Sequence, residues 1–228
     1  VSSMNWQRDN KYTIFNLKMR WHLDFIASFN YNPVTSSFLL TQICESMLVV
    51  HPKDITTSVL TSLYKGTDSK VVDQTASKRE IEHLLHHCPP RERIMLLGHG
   101  SDNGLFSRTD ENLSEFDRII VGHSHAYYLR HHGANMIGIW CHADKFARKE
   151  GLHGLFSGMI ISDNKEAEEY GIITLQHHIE EANEIMFSKL RKLLDDGVPL
   201  HQIPERMKAL NDKPSWLTNF NYENFYYL

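Results

Sequence analysis

Short apolar runs alternate with amphipathic segments along most of the chain after residue 46. Apolar runs of about four to eight residues, bounded by polar residues, are typical of strands buried in a parallel sheet. Strands that alternate with helices imply βαβ units. We therefore expect an α/β fold with a mainly parallel sheet of about six strands flanked by helices. The predicted strands are 47–50, 70–73, 93–98, 117–122, 135–140 and 158–162.

The amphipathic segments supply the predicted helices. Apolar residues at helical spacing predict a helix over residues 56–64, with Gly66 as its stop. Ser77 with Glu80 three residues later forms a capping-box pattern, which predicts that a helix begins there. The longest amphipathic stretch predicts a helix over 176–195 with one buried face.

The two ends of the chain differ from this alternating pattern. In residues 1–46 aromatic side chains are scattered among polar ones without a sustained period. We expect this segment to be an N-terminal extension, either a helical decoration or a stretch that precedes the natural start at Met47. Residues 47–228 then form a single domain with an aromatic C-terminal tail. The tail, 216–228, is expected to cover an exposed face of the sheet or to contact a partner subunit.

Composition narrows the class of protein. The 228 residues are 41% hydrophobic, which is ordinary for a globular protein, and the net charge of -4 offers no basic surface for nucleic acid. No apolar stretch approaches the roughly 18 residues of a membrane span, so we expect no membrane partner. An odd set of three cysteines argues against a disulfide framework and favours the reducing cytoplasm.

Two predicted strands end in chemically useful residues. The run 93–98 leads into His99-Gly100, and the run 135–140 leads into Cys141. Ligands of open α/β sheets bind beyond the carboxyl ends of the strands, so His99 and Cys141 are candidates for a nucleophilic pair. His99 would act as acid and base, and the amides of Gly100 and Cys141 are candidate oxyanion donors. The alternative for Cys141 is a buried core cysteine.

The segments around these residues resemble a known family. LLGHGSDNGLFS, NMIGIWCHADKF and MIISDNKEAEEYG are similar to segments of clan CD cysteine peptidases, which include caspases, legumains, clostripain and gingipains. The resemblance covers about residues 47–175 and is strongest to bacterial caspase-like proteins. It implies a three-layer caspase-hemoglobinase fold and a His99/Cys141 dyad. It also implies cysteine endopeptidase activity on a peptide or protein substrate.

Neighbouring residues add a substrate expectation and an alternative function. Asp163 and Asp144 are candidate substrate-binding acids that would favour cleavage after Arg or Lys, and the alternative for either is a helix cap or a solvated loop residue. Trp140 and His142 flank Cys141 in place of the residues common in the family. A catalytically inactive caspase-like regulatory or interaction module is therefore the alternative.

Residues 122–126, GHSHA, suggest two other chemistries. They mimic the nucleophile elbow of α/β serine hydrolases, which would use Ser124, Asp163 and His201, although Ala126 replaces the final glycine of that motif. The tetrapeptide GHSH also resembles the last metal-binding motif of metallophosphoesterases. The upstream ligands that two metal ions need are missing from the sequence. We therefore expect no metal ion and no cofactor.

Overall fold

A computed structural model describes residues 47–52, 54–108 and 116–228. The predicted N-terminal extension, residues 1–46, lies outside these ranges. The strands in chain order are β1 (Met47–Val50), β2 (Ser69–Val72), β3 (Arg93–Leu97), β4 (Gly100–Ser101), β5 (Gly104–Ser107), β6 (Arg118–Gly122), β7 (Met136–Ile139), β8 (Leu155–Ser157) and β9 (Phe225–Tyr227). The main sheet has the order β2-β1-β3-β7-β8-β9, in which only β9 runs antiparallel to its neighbour. The predicted α/β class with a mostly parallel six-stranded sheet is confirmed.

Helices cover both faces of this sheet. In chain order they are α1 (Lys78–His87), α2 (Ala126–Leu129), α3 (Ala143–Glu150), α4 (Asn164–Glu169), α5 (Gln176–Asp195), α6 (Ile203–Ala209) and α7 (Trp216–Glu223). Strand side chains alternate between two buried clusters, because successive residues of a strand point to opposite faces. Val49 packs in the cluster that contains side chains of α5, α6 and α7, whereas Leu48 and Val50 pack with α1, α2 and α3. The domain therefore has three layers.

Strand β3 lies between β1 and β7 at the centre of the sheet. The last residues of β3 and β7, Leu97 and Ile139, are register partners. Both strands are parallel and stop at the same level, so the residues that follow them emerge at one edge of the sheet. This register brings the His99 segment beside the Cys141 segment.

The segment after His99 differs from the prediction. The abundance of Ser, Asp, Asn and Gly in residues 101–115 predicts a loop, yet β4 and β5 form an antiparallel hairpin in its first part, and 109–115 lie outside the described residues. The run 117–122 is a strand, as predicted, but it does not join the mainly parallel sheet, because β6 pairs antiparallel with β5 in a separate three-stranded sheet. Leu105 and Val121 are fully buried in this small sheet, and their apolar character does not reveal which sheet they join.

The predicted strand at 158–162 is also wrong. The strand in this part of the chain is β8, which ends at Ser157. Residues 158–162 lie outside the sheet although they are apolar. Two asparagines replace the missing strand partners. Asn221 Oδ1 accepts the Ile161 N–H at 2.9 Å, and the side-chain amides of Asn183 and Asn221 donate to the Ile161 carbonyl at 2.9 and 3.1 Å. Ile161 is thereby buried with its backbone satisfied outside any sheet.

Replacing Asn221 with alanine is expected to destabilise the domain by about 1–3 kcal/mol, because it leaves the buried Ile161 N–H without an acceptor. Chemical unfolding in guanidinium chloride measures this change. Asn219→Ala is the matched control, since Asn219 lies on the same helix but is exposed and its side chain accepts a bond from Asn211 at the surface. Equal shifts of the unfolding midpoint in the two variants would contradict the prediction.

Helix predictions fare better where capping and periodicity agree. Ser77 accepts the Glu80 N–H at 3.2 Å, as predicted for the start of α1, and α5 has the predicted bounds. The helix predicted over 56–64 is wrong, because only a 3-10 helix, Ser58–Leu63, forms there. Asp54 accepts both the N–H and the hydroxyl of Thr56, which closes a turn in place of a first helical turn.

Candidate active site

His99 and Cys141 line the same pocket at the edge of the sheet. His99 follows β3 after the turn at Gly98, and Cys141 follows β7 after Trp140. Strands β3 and β7 are neighbours, so the two residues predicted as a pair lie on adjacent strand ends. The wall of the pocket also includes Thr56, from the turn after β1, and Ile160, from the segment after β8. The pocket thus draws on the ends of four neighbouring strands.

A hydrogen-bonded relay engages one nitrogen of His99. Its Nε2 lies 2.7 Å from Thr56 Oγ1 and 3.5 Å from Asp54 Oδ1. The Thr56 hydroxyl donates to Asp54 Oδ1 at 2.6 Å. Because this bond uses the only hydroxyl proton, Thr56 Oγ1 accepts from Nε2–H. We therefore assign the proton of neutral His99 to Nε2 from the bonding network, which leaves Nδ1 as the basic nitrogen.

Asp54 is held as a carboxylate beside His99. Burial favours its neutral form, but the bonds from Thr56 and the charges of His99 and Arg108 outweigh burial, so the pKa of Asp54 lies below its usual value. Arg108 donates to Asp54 Oδ2 at 2.7 Å and stacks on the Phe116 ring. The ring of His99 also contacts Phe116. This arrangement fixes the orientation of the imidazole.

Cys141 lies among hydrogen-bond acceptors. Its Sγ is 4.0 Å from the Ile160 carbonyl and 4.0 Å from Glu166 Oε1. The other carboxylate oxygen of Glu166 accepts the N–H and the hydroxyl of Ser162 at 2.7 and 2.9 Å. Burial raises the pKa of the Cys141 thiol to about 12, and the charge of Glu166 adds to the rise. The resting residue is therefore a neutral thiol at physiological pH.

Trp140 joins the His99 segment to the Cys141 segment. It is almost fully buried, and its Nε1–H donates to the Ser101 carbonyl at 3.0 Å. A Cβ atom added at Gly100 would lie 2.2 Å from Trp140 Cδ1, so the indole occupies the space that a side chain would need. Gly100 is thus required for packing, whereas Gly98 lines the pocket. The role of the Gly100 amide as an oxyanion donor stays a prediction.

His142 turns the chain sharply after Cys141. Its φ of 66° and ψ of 29° place it in the left-handed region, which residues other than glycine seldom adopt. Its N–H donates to the Gly158 carbonyl at 3.2 Å, and α3 begins at the next residue. The strained turn fixes where Cys141 sits relative to the strand end. Such strain at a site is common where a side chain or amide must be aimed.

The two acids predicted to bind substrate have structural partners. Asp163 Oδ1 accepts the Glu166 N–H at 2.9 Å and caps α4. Asp144 lies in the first turn of α3, 4.0 Å from Arg148. Neither residue lines the pocket that contains Cys141. The acid nearest to the thiol is Glu166, which the sequence reasoning missed.

The residues of the serine-hydrolase alternative lie on separate elements. Ser124 follows β6 of the small sheet and contacts the neighbouring His125 Nδ1 at 3.3 Å. Asp163 caps α4, and His201 lies in the 3-10 helix Leu200–Gln202 beside Tyr227. No hydrogen bond joins these three described residues. Within the described ranges there is no cluster of three side chains suited to a metal ion, and no helix there is long and apolar enough to cross a membrane.

Asp54, Thr56, Arg108 and Glu166 were missed by the sequence reasoning. A usable signal exists for two of them, because Asp54 and Thr56 form an Asp-x-Thr pattern just beyond the first strand. That strand ends beside β3, so its following residues share the edge with His99. Arg108 reaches the site from the small sheet and Glu166 from α4, and no local sequence pattern predicts either position.

Comparison with protein-family models, with curated proteins and with solved structures found no match for this chain. Its class is therefore defined by topology and site alone. It is a three-layer α/β domain with a histidine and a cysteine at adjacent strand ends, both lining one pocket.

Proposed function

We propose that the protein is a cysteine-type endopeptidase of the caspase-like class, with Cys141 as nucleophile and His99 as acid and base. The observation that carries the proposal is the convergence of these residues, which follow neighbouring parallel strands and line one pocket. The relay from His99 through Thr56 to Asp54 supports it, because a base oriented by a carboxylate is a recurring part of nucleophilic catalysis.

In this mechanism Cys141 Sγ attacks the carbonyl carbon of a peptide bond. The thiol proton passes to His99 Nδ1 as the carbon–sulfur bond forms, since the resting thiol is neutral. Backbone amides, with those of Gly100 and Cys141 as candidates, would stabilise the oxyanion. His99 then protonates the leaving amine as the carbon–nitrogen bond breaks. Water hydrolyses the resulting thioester with His99 again as base.

A preference for cleavage after basic residues is part of the proposal. Of the expected acids, Asp163 caps a helix, whereas Asp144 lies 4.0 Å from Arg148 and its buried Oδ1 has no hydrogen-bond partner among the described residues. Glu166 is the carboxylate that stands closest to the nucleophile, at 4.0 Å from Sγ. The oxygens of Glu166 already face Cys141 and Ser162, so the support is the combined negative charge of Glu166 and Asp163 near the thiol, which attracts a lysine or arginine of the peptide.

A catalytically inactive caspase-like module is the second candidate. The observation that favours it is the neutral thiol of Cys141, which burial and the charge of Glu166 maintain. A thiol is a far weaker nucleophile than a thiolate. Under this candidate the domain would bind a protein partner without cleaving it.

A panel of fluorogenic peptides with Arg, Lys, Asp or Asn before the reporter separates the two candidates. The endopeptidase is expected to release the reporter, fastest after Arg or Lys. An acid quench during turnover followed by mass spectrometry should find the acyl group on the Cys141 peptide. A folded protein that cleaves no member of the panel and gains no acyl adduct would favour the inactive module.

A further inference from the structure

The thiol of Cys141 faces a built arrangement of acceptors. Glu166 Oε1 and the Ile160 carbonyl each lie 4.0 Å from Sγ, at the outer limit for a sulfur donor. The Glu166 carboxylate cannot swing away freely, because Oε2 accepts two bonds from Ser162. Its backbone N–H is in turn tied to Asp163 at the start of α4. Helix α4 and the segment before it therefore hold one oxygen of Glu166 at the thiol.

We propose that Glu166 is a positioning residue that holds Cys141 as a protonated thiol by accepting its S–H bond. A neighbouring negative charge and acceptors for the S–H both favour the neutral form. The restraint keeps the nucleophile unreactive until another group takes its proton.

The charges around the thiol act in one direction. After burial, Glu166 makes the largest contribution that raises the pKa of Cys141, and Asp163 raises it further. Backbone bonds at Ile160 and at Cys141 itself act the other way and lower the pKa, but burial and the two carboxylates outweigh them. His99 lines the same pocket and has its Nε2 engaged by Thr56. Glu166 and Asp163 thus both favour the neutral thiol.

The inference concerns the nucleophile of the proposed endopeptidase, but it can fail or succeed separately from that function. Alkylation of a thiol by iodoacetamide reads its reactivity without any peptide cleavage. If the thiol is restrained but the protein cleaves no peptide, the inference stands and the proposed endopeptidase activity is contradicted. Peptide cleavage together with an unrestrained thiol would do the reverse.

The test compares the rate of iodoacetamide labelling at Cys141 in wild type and in Glu166→Gln, from pH 7 to pH 9. Glutamine keeps an oxygen for Ser162 and removes the charge. A fall of about one unit in the pKa of the thiol is expected to speed labelling about threefold at each pH, because nucleophilicity drops as the pKa drops. Over this range the two profiles should rise with pH in parallel, because the pKa of the thiol lies above pH 9.

Cys88 provides an internal standard in the same digests. Burial and Glu92 raise the pKa of its thiol to about 12 as well, and it lies outside the pocket. Its labelling rate should not change in Glu166→Gln. Glu169→Gln removes the charge of an exposed glutamate on the same helix as Glu166. It should leave the labelling rates of Cys141 and Cys88 unchanged. Faster labelling of Cys141 alone in Glu166→Gln supports the proposal, and an unchanged or slower rate overturns it.

If Glu166→Gln does not fold, Cys88 should also label faster than in wild type. A measurement on the wild-type protein then tests the proposal without the variant. At pH 7.5 wild-type Cys141 is expected to label at least tenfold more slowly than N-acetylcysteine. A rate equal to that of N-acetylcysteine would overturn the proposal without any variant. The full chain is used throughout.

Discussion

Replacing Cys141 with alanine is expected to reduce peptide cleavage to background, because it removes the thiol that forms the thioester. His99→Gln is expected to lower kcat by about 10²–10⁴-fold, which is the usual contribution of a general acid and base. The double variant should be no worse than Cys141→Ala, since residues that act as one unit lose their effect together. The rate of reporter release from the best peptide of the panel measures all three.

Matched controls are available within the chain. Cys88→Ala removes another partly buried thiol whose pKa is also about 12, and it should leave cleavage unchanged. His83→Gln removes an exposed imidazole of α1 and should have no effect. Cleavage that survives Cys141→Ala would end the cysteine mechanism. Loss of cleavage in Ser124→Ala, with Cys141→Ala active, would favour the serine-hydrolase alternative.

Trp140→Ala is expected to lower the free energy of unfolding by about 3–5 kcal/mol, the range found for large aromatic side chains in cores. Trp140 is only 2% exposed and packs against Phe146. The variant also leaves the Ser101 carbonyl without its donor. Chemical unfolding followed by circular dichroism measures the loss, and Trp140→Phe should fall between the two proteins.

Trp216→Ala is the control for this prediction. Trp216 begins α7 and is 86% exposed, so its removal should change stability by no more than about 0.5 kcal/mol. The two variants delete the same side chain from positions that differ in burial. Similar losses in both would show that Trp140 does not brace the core as described.

The parallel sheet was predictable because its strands are buried on both faces and read as continuous apolar runs. β3 and β7 are such runs, and the residues that follow them, His99 and Cys141, could therefore be predicted as site candidates. The same rule failed for residues 117–122 and 158–162. Both runs are apolar because they are buried, but one pairs antiparallel in a second sheet and the other is held by asparagine side chains.

The remaining parts of the site depend on contacts between residues distant in sequence. Arg108 meets Asp54 across 54 positions, and Cys141 meets Glu166 across 25. The sequence alone does not distinguish Asp54 and Glu166 from ordinary surface acids. The left-handed turn at His142 was also hidden, because histidine carries no signal for that conformation comparable to glycine.

The contact between Trp140 and Gly100 sets an order in which these two positions can change. A side chain at position 100 meets the indole at 2.2 Å and the Gly104 carbonyl at 2.4 Å, so the clash involves both an aromatic ring and backbone. A smaller residue at position 140 removes only the first obstacle. A larger residue at position 100 therefore requires both a smaller residue at position 140 and a shift of the β4–β5 hairpin. The effects of substitutions at positions 100 and 140 on stability should be strongly non-additive.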